Sequence, residues 1–135
     1  MSFWLKNLIG IFFILHAIVY GIMLIPFPDM PGNGIGKYWT GLVGSRLFDY
    51  LNISNNLIKT IAIIISLIAM IGFIIAGITI LVIGIPNKLF LIITIISSGL
   101  SLIFLILYWH NYNIVGFIIN IAILIYMPIL YFKLN

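Results

Sequence analysis

Four apolar runs, each long enough to cross a lipid bilayer, constrain this chain more than any other feature. They cover residues 7–25, 57–83, 89–109 and 114–132. A helix that crosses the hydrocarbon core takes about 20 residues. Backbone polar groups in lipid must be satisfied within the segment, so runs of this kind form helices. The pattern predicts an all-α fold, a single membrane domain built as a bundle of four transmembrane helices.

The composition argues against a water-soluble alternative. Hydrophobic residues make up 64% of the 135 residues and charged residues only 6%, whereas soluble domains have about 45–50% and about 25%. The net charge is +4, but the six basic residues stand singly, so we exclude a nucleic-acid partner. There is no cysteine, which excludes disulfides and thiol chemistry within the chain. The lipid bilayer is therefore the predicted partner.

The connections between the runs differ in length. Two of them are short, which makes the second, third and fourth helices consecutive antiparallel neighbours. Gly84, Pro86 and Asn87 predict the turn between the second and third helices. The remaining one, residues 26–56, is too long for a structureless loop in a compact protein. Apolar residues near helical spacing between residues 38 and 51 predict a short helix at the membrane interface. Expected helix caps are Asn55 or Asn56 for the second helix and Asn111 or Asn113 for the fourth.

The charges give little information on orientation. Four crossings put both termini on the same side of the membrane, together with Lys6, Lys88 and Lys133. The other side also carries three basic residues, so the positive-inside rule is balanced. Because the long connection has folded character and a more neutral charge, we expect the termini to be cytoplasmic.

Polar side chains at bilayer depth are the candidates for a functional site. His16 lies near the middle of the first helix, and Tyr20 follows one turn later on the same face. A buried amide such as Asn120 in the fourth helix needs a partner in lipid. Ser98 and Ser101 of the third helix lie near mid-membrane. We predict a polar cluster of these five side chains, which either binds a ligand or only bonds helix to helix.

Two further features have alternative interpretations. His110 belongs to the aromatic segment 108–112 at the end of the third helix. It is either part of an interfacial belt or lines the mouth of a site covered by residues 26–56. The second helix carries a seam spaced by four and three residues, which predicts internal packing rather than a dimer face. The seam consists of Ala62, Ser66, Ala69, Phe73 and Ala76.

Several kinds of chemistry lack the residues that they need. No Asp, Glu, Lys or Arg lies deep inside any of the four runs, whereas ion-coupled transporters usually hold such a charge at the midplane. His16 and His110 differ in depth by about half a membrane, which makes them a poor axial pair for one haem. No metal site is expected. No cofactor is expected either, although a quinone or a lipid would fit as a bound ligand.

Two stretches of the sequence are similar to DoxX-like membrane proteins. One is Gly10-Ile-Phe-Phe-Ile-Leu-His16-Ala, which is followed by a proline- and glycine-rich loop. The other is Ile75-Ala-Gly-Ile-Thr79, which is followed by a short turn. The resemblance implies a four-helix fold, and some members of that group resemble quinone-contacting subunits of redox complexes. The acidic residue often found in their second helix is absent here, so no catalytic residue is carried over.

Three functions fit these features. The first is a non-enzymatic binder of a lipid- or quinone-type ligand, or a small subunit of a larger membrane assembly or homo-oligomer. The second is an enzyme of the membrane interface with His16 or His110 as acid or base. The third is an uncoupled channel or facilitator with a wet path along His16, Ser98 and Asn120. We favour the first, because the polar cluster lies between the first, third and fourth helices and the connection 26–56 resembles a lid over it.

Overall fold

The structure is a computed structural model that describes residues 2–23, 50–51, 54–84, 87–108 and 113–134. These residues form four helices, each long and apolar enough to cross a membrane. The predicted all-α bundle of four transmembrane helices is confirmed. The interfacial helix predicted between residues 38 and 51 lies outside the described residues, apart from its last two. The helices are α1 (Phe3–Met23), α2 (Asn55–Ile83), α3 (Lys88–Leu107) and α4 (Ile114–Leu134).

The first two helices begin earlier than their apolar runs. α1 begins at Phe3 rather than residue 7, and Ser2 Oγ accepts a hydrogen bond of 3.3 Å from the backbone N–H of Leu5. The cap predicted for α2, Asn55 or Asn56, is wrong. Its N-cap is Ser54, whose Oγ accepts from Leu57 N at 3.4 Å. Hydropathy marks the hydrocarbon core, but capped helices extend beyond it into the polar headgroup region.

The connection between α2 and α3 has the residues that a tight turn requires. Gly84 ends α2 with φ 79°, a left-handed conformation that glycine adopts without steric cost. Asn87 then caps α3, because its Oδ1 accepts from Phe90 N at 2.7 Å. The turn predicted at Gly84 and Asn87 is confirmed. α3 ends at Leu107, two residues before its predicted end, whereas α4 extends through Pro128 to Leu134.

The helices pack in chain order, α1 on α2, α2 on α3 and α3 on α4. α1 and α2 approach each other closely, because a Cβ atom on Gly77 would lie 2.8 Å from the carbonyl oxygen of Gly10. Small residues therefore bring the two backbones into direct contact. Lys6 Nζ also donates to Leu81 O at 3.1 Å, which pairs a cation with the carboxyl end of α2.

The interior of the bundle is more polar than its outside. Isoleucine and leucine side chains dominate the exposed surface, as lipid requires, and every residue of the predicted seam on α2 is buried. Internal packing of that seam is confirmed. Aromatic rings and small polar groups occupy the centre. The buried polar residues are His16, Ser66, Thr94, Ser97, Ser98, Ser101 and Asn120.

Candidate functional site

Three helices contribute to a hydrogen-bonded network in the middle of the bundle. Tyr20 of α1 makes a hydrogen bond with Ser101 of α3 through their hydroxyl groups. Asn120 of α4 donates from Nδ2 to the Tyr20 hydroxyl at 3.2 Å. All three side chains are at most 2% exposed. The network therefore links α1, α3 and α4 through side chains that are shielded from lipid. We refer to Tyr20, Ser101 and Asn120 as the buried network.

The direction of these hydrogen bonds follows from a backbone contact. Asn120 Nδ2 also donates to the carbonyl oxygen of Gly116 at 2.7 Å, one turn earlier in α4. A flipped amide would place two acceptors against each other there, so the nitrogen must face Gly116. Nδ2 then uses its second proton on Tyr20, and Tyr20 can donate its own proton to Ser101. Asn120 Oδ1 takes part in neither of these hydrogen bonds.

His16 lies beside the network in an aromatic surround. Its ring packs edge-on against Phe73 of α2 at a centroid distance of 4.8 Å and against Tyr20 at 5.5 Å. Phe12 stacks on it at 5.8 Å with an interplanar angle of 7°. The Asn120 side chain lies beside the imidazole, but neither His16 Nε2 nor Asn120 Oδ1 makes a hydrogen bond with the described residues. The imidazole is therefore packed against three aromatic rings.

Four buried polar atoms have no hydrogen-bond partner among the described residues. They are His16 Nε2, Ser66 Oγ, Ser98 Oγ and Asn120 Oδ1. An unsatisfied buried polar group costs about 1–3 kcal/mol, so native proteins rarely leave such atoms unpaired. His16 and Asn120 contribute two of these atoms at the buried network. The site therefore has two buried atoms, His16 Nε2 and Asn120 Oδ1, that are free to form a hydrogen bond beside the buried network.

The structure brings four of the six predicted site residues into mutual contact. His16, Tyr20, Ser101 and Asn120 are connected by hydrogen bonds or ring contacts, as described above. Ser98 is fully buried and lies three residues before Ser101, so it shares the same face of α3. His110 lies outside the described residues. Within the described ranges, no group of three His, Cys, Asp or Glu side chains comes together in a way that would hold a metal.

Sequence reasoning did not assign Phe12, Phe73 or Gly116 to this site. Phe73 was expected only as a packing residue of α2, yet its ring makes the closest aromatic contact with His16. Phe12 precedes His16 by one helical turn, a spacing that the sequence does reveal. Gly116 precedes Asn120 by four residues, and an amide that bonds the carbonyl of residue i−4 is a recurrent local pattern. Those two signals were available from spacing alone.

The fold and the composition of its surface define a class. The chain is a small multi-pass membrane protein with a polar site enclosed between its helices. No protein-family model matches the chain, no curated protein is significantly similar to it, and no solved structure matches it. The site must therefore be interpreted from its own chemistry.

Proposed function

We propose that this protein binds a small amphipathic ligand of the quinone or lipid type, whose polar head forms hydrogen bonds with His16 Nε2 and Asn120 Oδ1. The observation that carries the proposal is the pair of unpaired buried atoms, His16 Nε2 and Asn120 Oδ1. A ligand head that bonds both atoms removes two penalties of about 1–3 kcal/mol each. The apolar surround of aromatic rings suits the ring or tail of such a ligand.

The chemistry of the two atoms favours a head that carries a hydroxyl group. Asn120 Oδ1 only accepts hydrogen bonds, so it requires a donor. His16 Nε2 either donates or accepts, according to the tautomer of the ring. Of a quinone and its quinol, only the quinol brings an O–H donor for Asn120. We expect the quinol form to bind more tightly than the quinone, and alcohol-headed lipids to bind better than their esters.

The surroundings of His16 support binding over catalysis. Its neighbours are aromatic rings and an amide, and the described ranges contain no Asp or Glu that would tune its proton affinity. In many acid–base sites a carboxylate beside the imidazole orients the ring and tunes its proton affinity. The DoxX-like resemblance and the cytoplasmic position of the termini remain predictions.

The experiment is a binding measurement on the purified protein in lipid nanodiscs. The probes are a short-tailed benzoquinol and the corresponding benzoquinone, detected by native mass spectrometry. His16→Phe keeps an aromatic ring against Phe73 but removes Nε2, and we expect it to weaken quinol binding about tenfold, which equals about 1.4 kcal/mol. Thr94→Val is the matched control, because the buried Thr94 hydroxyl already bonds Phe90 O at 2.6 Å.

The outcomes of this experiment separate the alternatives. Quinol binding that His16→Phe weakens and Thr94→Val leaves unchanged supports the proposal. Equal affinity of wild type and His16→Phe contradicts it, as does a wild-type protein that retains neither probe nor any alcohol-headed lipid. Folding of His16→Phe is monitored by circular dichroism. If that variant does not fold, His16→Gln takes its place, because its side-chain amide retains hydrogen bonding without the ring.

A role as a subunit of a larger assembly is a second candidate, and it is favoured by the exposure of α4. Only 11% of the residues in its most apolar window are buried, compared with 39% in α3. A helix that packs mainly on one neighbour has a wide face available to another membrane protein or to a second copy. Native mass spectrometry of the protein released in its native lipids tests this candidate. A mass equal to one chain plus lipid would contradict it.

A further inference from the structure

An apolar groove runs between the ends of α1 and α4, away from the buried network. Its volume is about 230 Å³, and Leu5 and Ile9 of α1 face Met127, Leu130 and Lys133 of α4 across it. The groove exists because α1 packs mainly on α2 and α4 mainly on α3, which leaves the seam between α1 and α4 weakly closed. It opens sideways, so a molecule dissolved in the bilayer reaches it directly.

The dimensions of the groove suit one hydrocarbon chain. Pockets that enclose a drug-sized ligand have about 300–1,000 Å³, so 230 Å³ accommodates a smaller, linear segment. Along α4 the lining extends from Tyr126 to Lys133, which is about 10 Å at the helical rise of about 1.5 Å per residue. The lining is apolar over nearly all of that length, with Lys133 at the end that faces the membrane surface.

The mouth of the groove is positively charged. Lys133 lies exposed in the last turn of α4, and no carboxylate occurs in the described part of the chain to neutralise it. The positive amino-terminal end of the α1 dipole and the negative carboxyl end of the α4 dipole both lie at this mouth, so the net charge comes from Lys133. Lys6 is different, because its ammonium is engaged by Leu81 O. Lys133 is therefore the cation that the groove offers to a ligand.

We infer that this groove holds one acyl chain of an anionic phospholipid, with the lipid phosphate at Lys133. A phosphate placed there lies beside the Lys133 ammonium at the membrane surface. The acyl chain below it packs against the apolar side chains that line the groove. Ile9 is the residue of the groove that lies nearest to His16 along α1. It precedes His16 by seven residues, which is about 10 Å along the helix. The inference is independent of the proposed ligand at His16 and Asn120.

The test is a lipid competition followed by native mass spectrometry. The protein is exchanged into equal amounts of phosphatidylglycerol and phosphatidylcholine with identical chains, and retained lipids are counted. We expect wild type to retain phosphatidylglycerol about fivefold over phosphatidylcholine, the ratio that one cation near an anionic headgroup provides. Lys133→Gln should remove that preference. Lys88→Gln, which removes an exposed cation at the same end but outside the groove, should keep it.

A second variant tests the apolar part of the groove. Ile9→Trp places a larger ring in the opening, where the space exists to receive it, and should reduce the retention of both lipids. Equal retention of the two lipids by wild type would overturn the inference. So would an equal loss of preference in Lys133→Gln and Lys88→Gln, which would indicate a general surface charge. Unchanged lipid retention in folded Ile9→Trp would also contradict it.

Discussion

Replacing Gly77 by alanine should force α1 and α2 apart. The added Cβ would lie 2.8 Å from Gly10 O and 2.8 Å from Ile14 Cγ1, whereas ordinary contacts begin at 3.4 Å. The gap must widen by about 0.6 Å, and the Gly10 oxygen belongs to a helix backbone that cannot rotate away as a side chain would. Overpacking of this kind costs about 1–3 kcal/mol. We expect Gly77→Ala to lower the free energy of unfolding by that amount.

The assay is unfolding in mixed micelles of increasing denaturing-detergent content, followed by circular dichroism. Gly99→Ala is the matched control, because no atom lies within 4 Å of a Cβ built at Gly99 of α3. Since alanine favours a helix over glycine by up to about 1 kcal/mol, the control should be unchanged or slightly stabilised. If Gly77→Ala unfolds at the same detergent fraction as Gly99→Ala, the direct backbone contact between α1 and α2 is refuted.

Two further predictions use the same unfolding assay. A double-mutant cycle of Tyr20→Phe and Asn120→Leu should give a coupling energy of about 0.6–1.7 kcal/mol, the range of hydrogen bonds between transmembrane helices; a coupling of zero would exclude a stabilising contact between the two side chains. Lys6→Gln should lower the free energy of unfolding by about 0.3–1 kcal/mol, because the variant lacks the ammonium that complements the carboxyl end of α2. Lys88→Gln should show no such loss, since that cation lies at the positive end of α3, and equal losses in both variants would contradict the assigned role of Lys6.

The number, type and approximate extent of the helices could be predicted from the sequence because lipid imposes a length and an apolar character on every crossing. The caps were harder to predict. Ser54, Asn55 and Asn56 are adjacent residues that all make good N-caps, so composition could not choose between them. The turn at Gly84 was predictable because glycine is the residue that readily adopts a left-handed conformation there.

The sequence predicted the level in the membrane at which the site residues lie, but it could not predict which way their side chains point. Counting residues placed His16, Tyr20 and Asn120 near a common level, yet rotation of each helix about its axis decides which side chains meet. That rotation depends on packing contacts such as Gly10 against Gly77, which involve residues distant in the sequence. The groove beside Lys133 could not be predicted either, because it is a gap between two helices rather than a property of one.

The hydrogen bond between Tyr20 and Asn120 joins residues 100 positions apart, and this separation has a consequence for biogenesis. During synthesis α1 enters the bilayer before α4 has left the ribosome. The Tyr20 hydroxyl is therefore in the membrane before the Asn120 amide that donates to it. Assembly of the polar interior is complete only after the final crossing. A chain arrested after α3 would have Ser101 as a partner for the Tyr20 hydroxyl but would lack the Asn120 amide, so its polar interior would be incomplete.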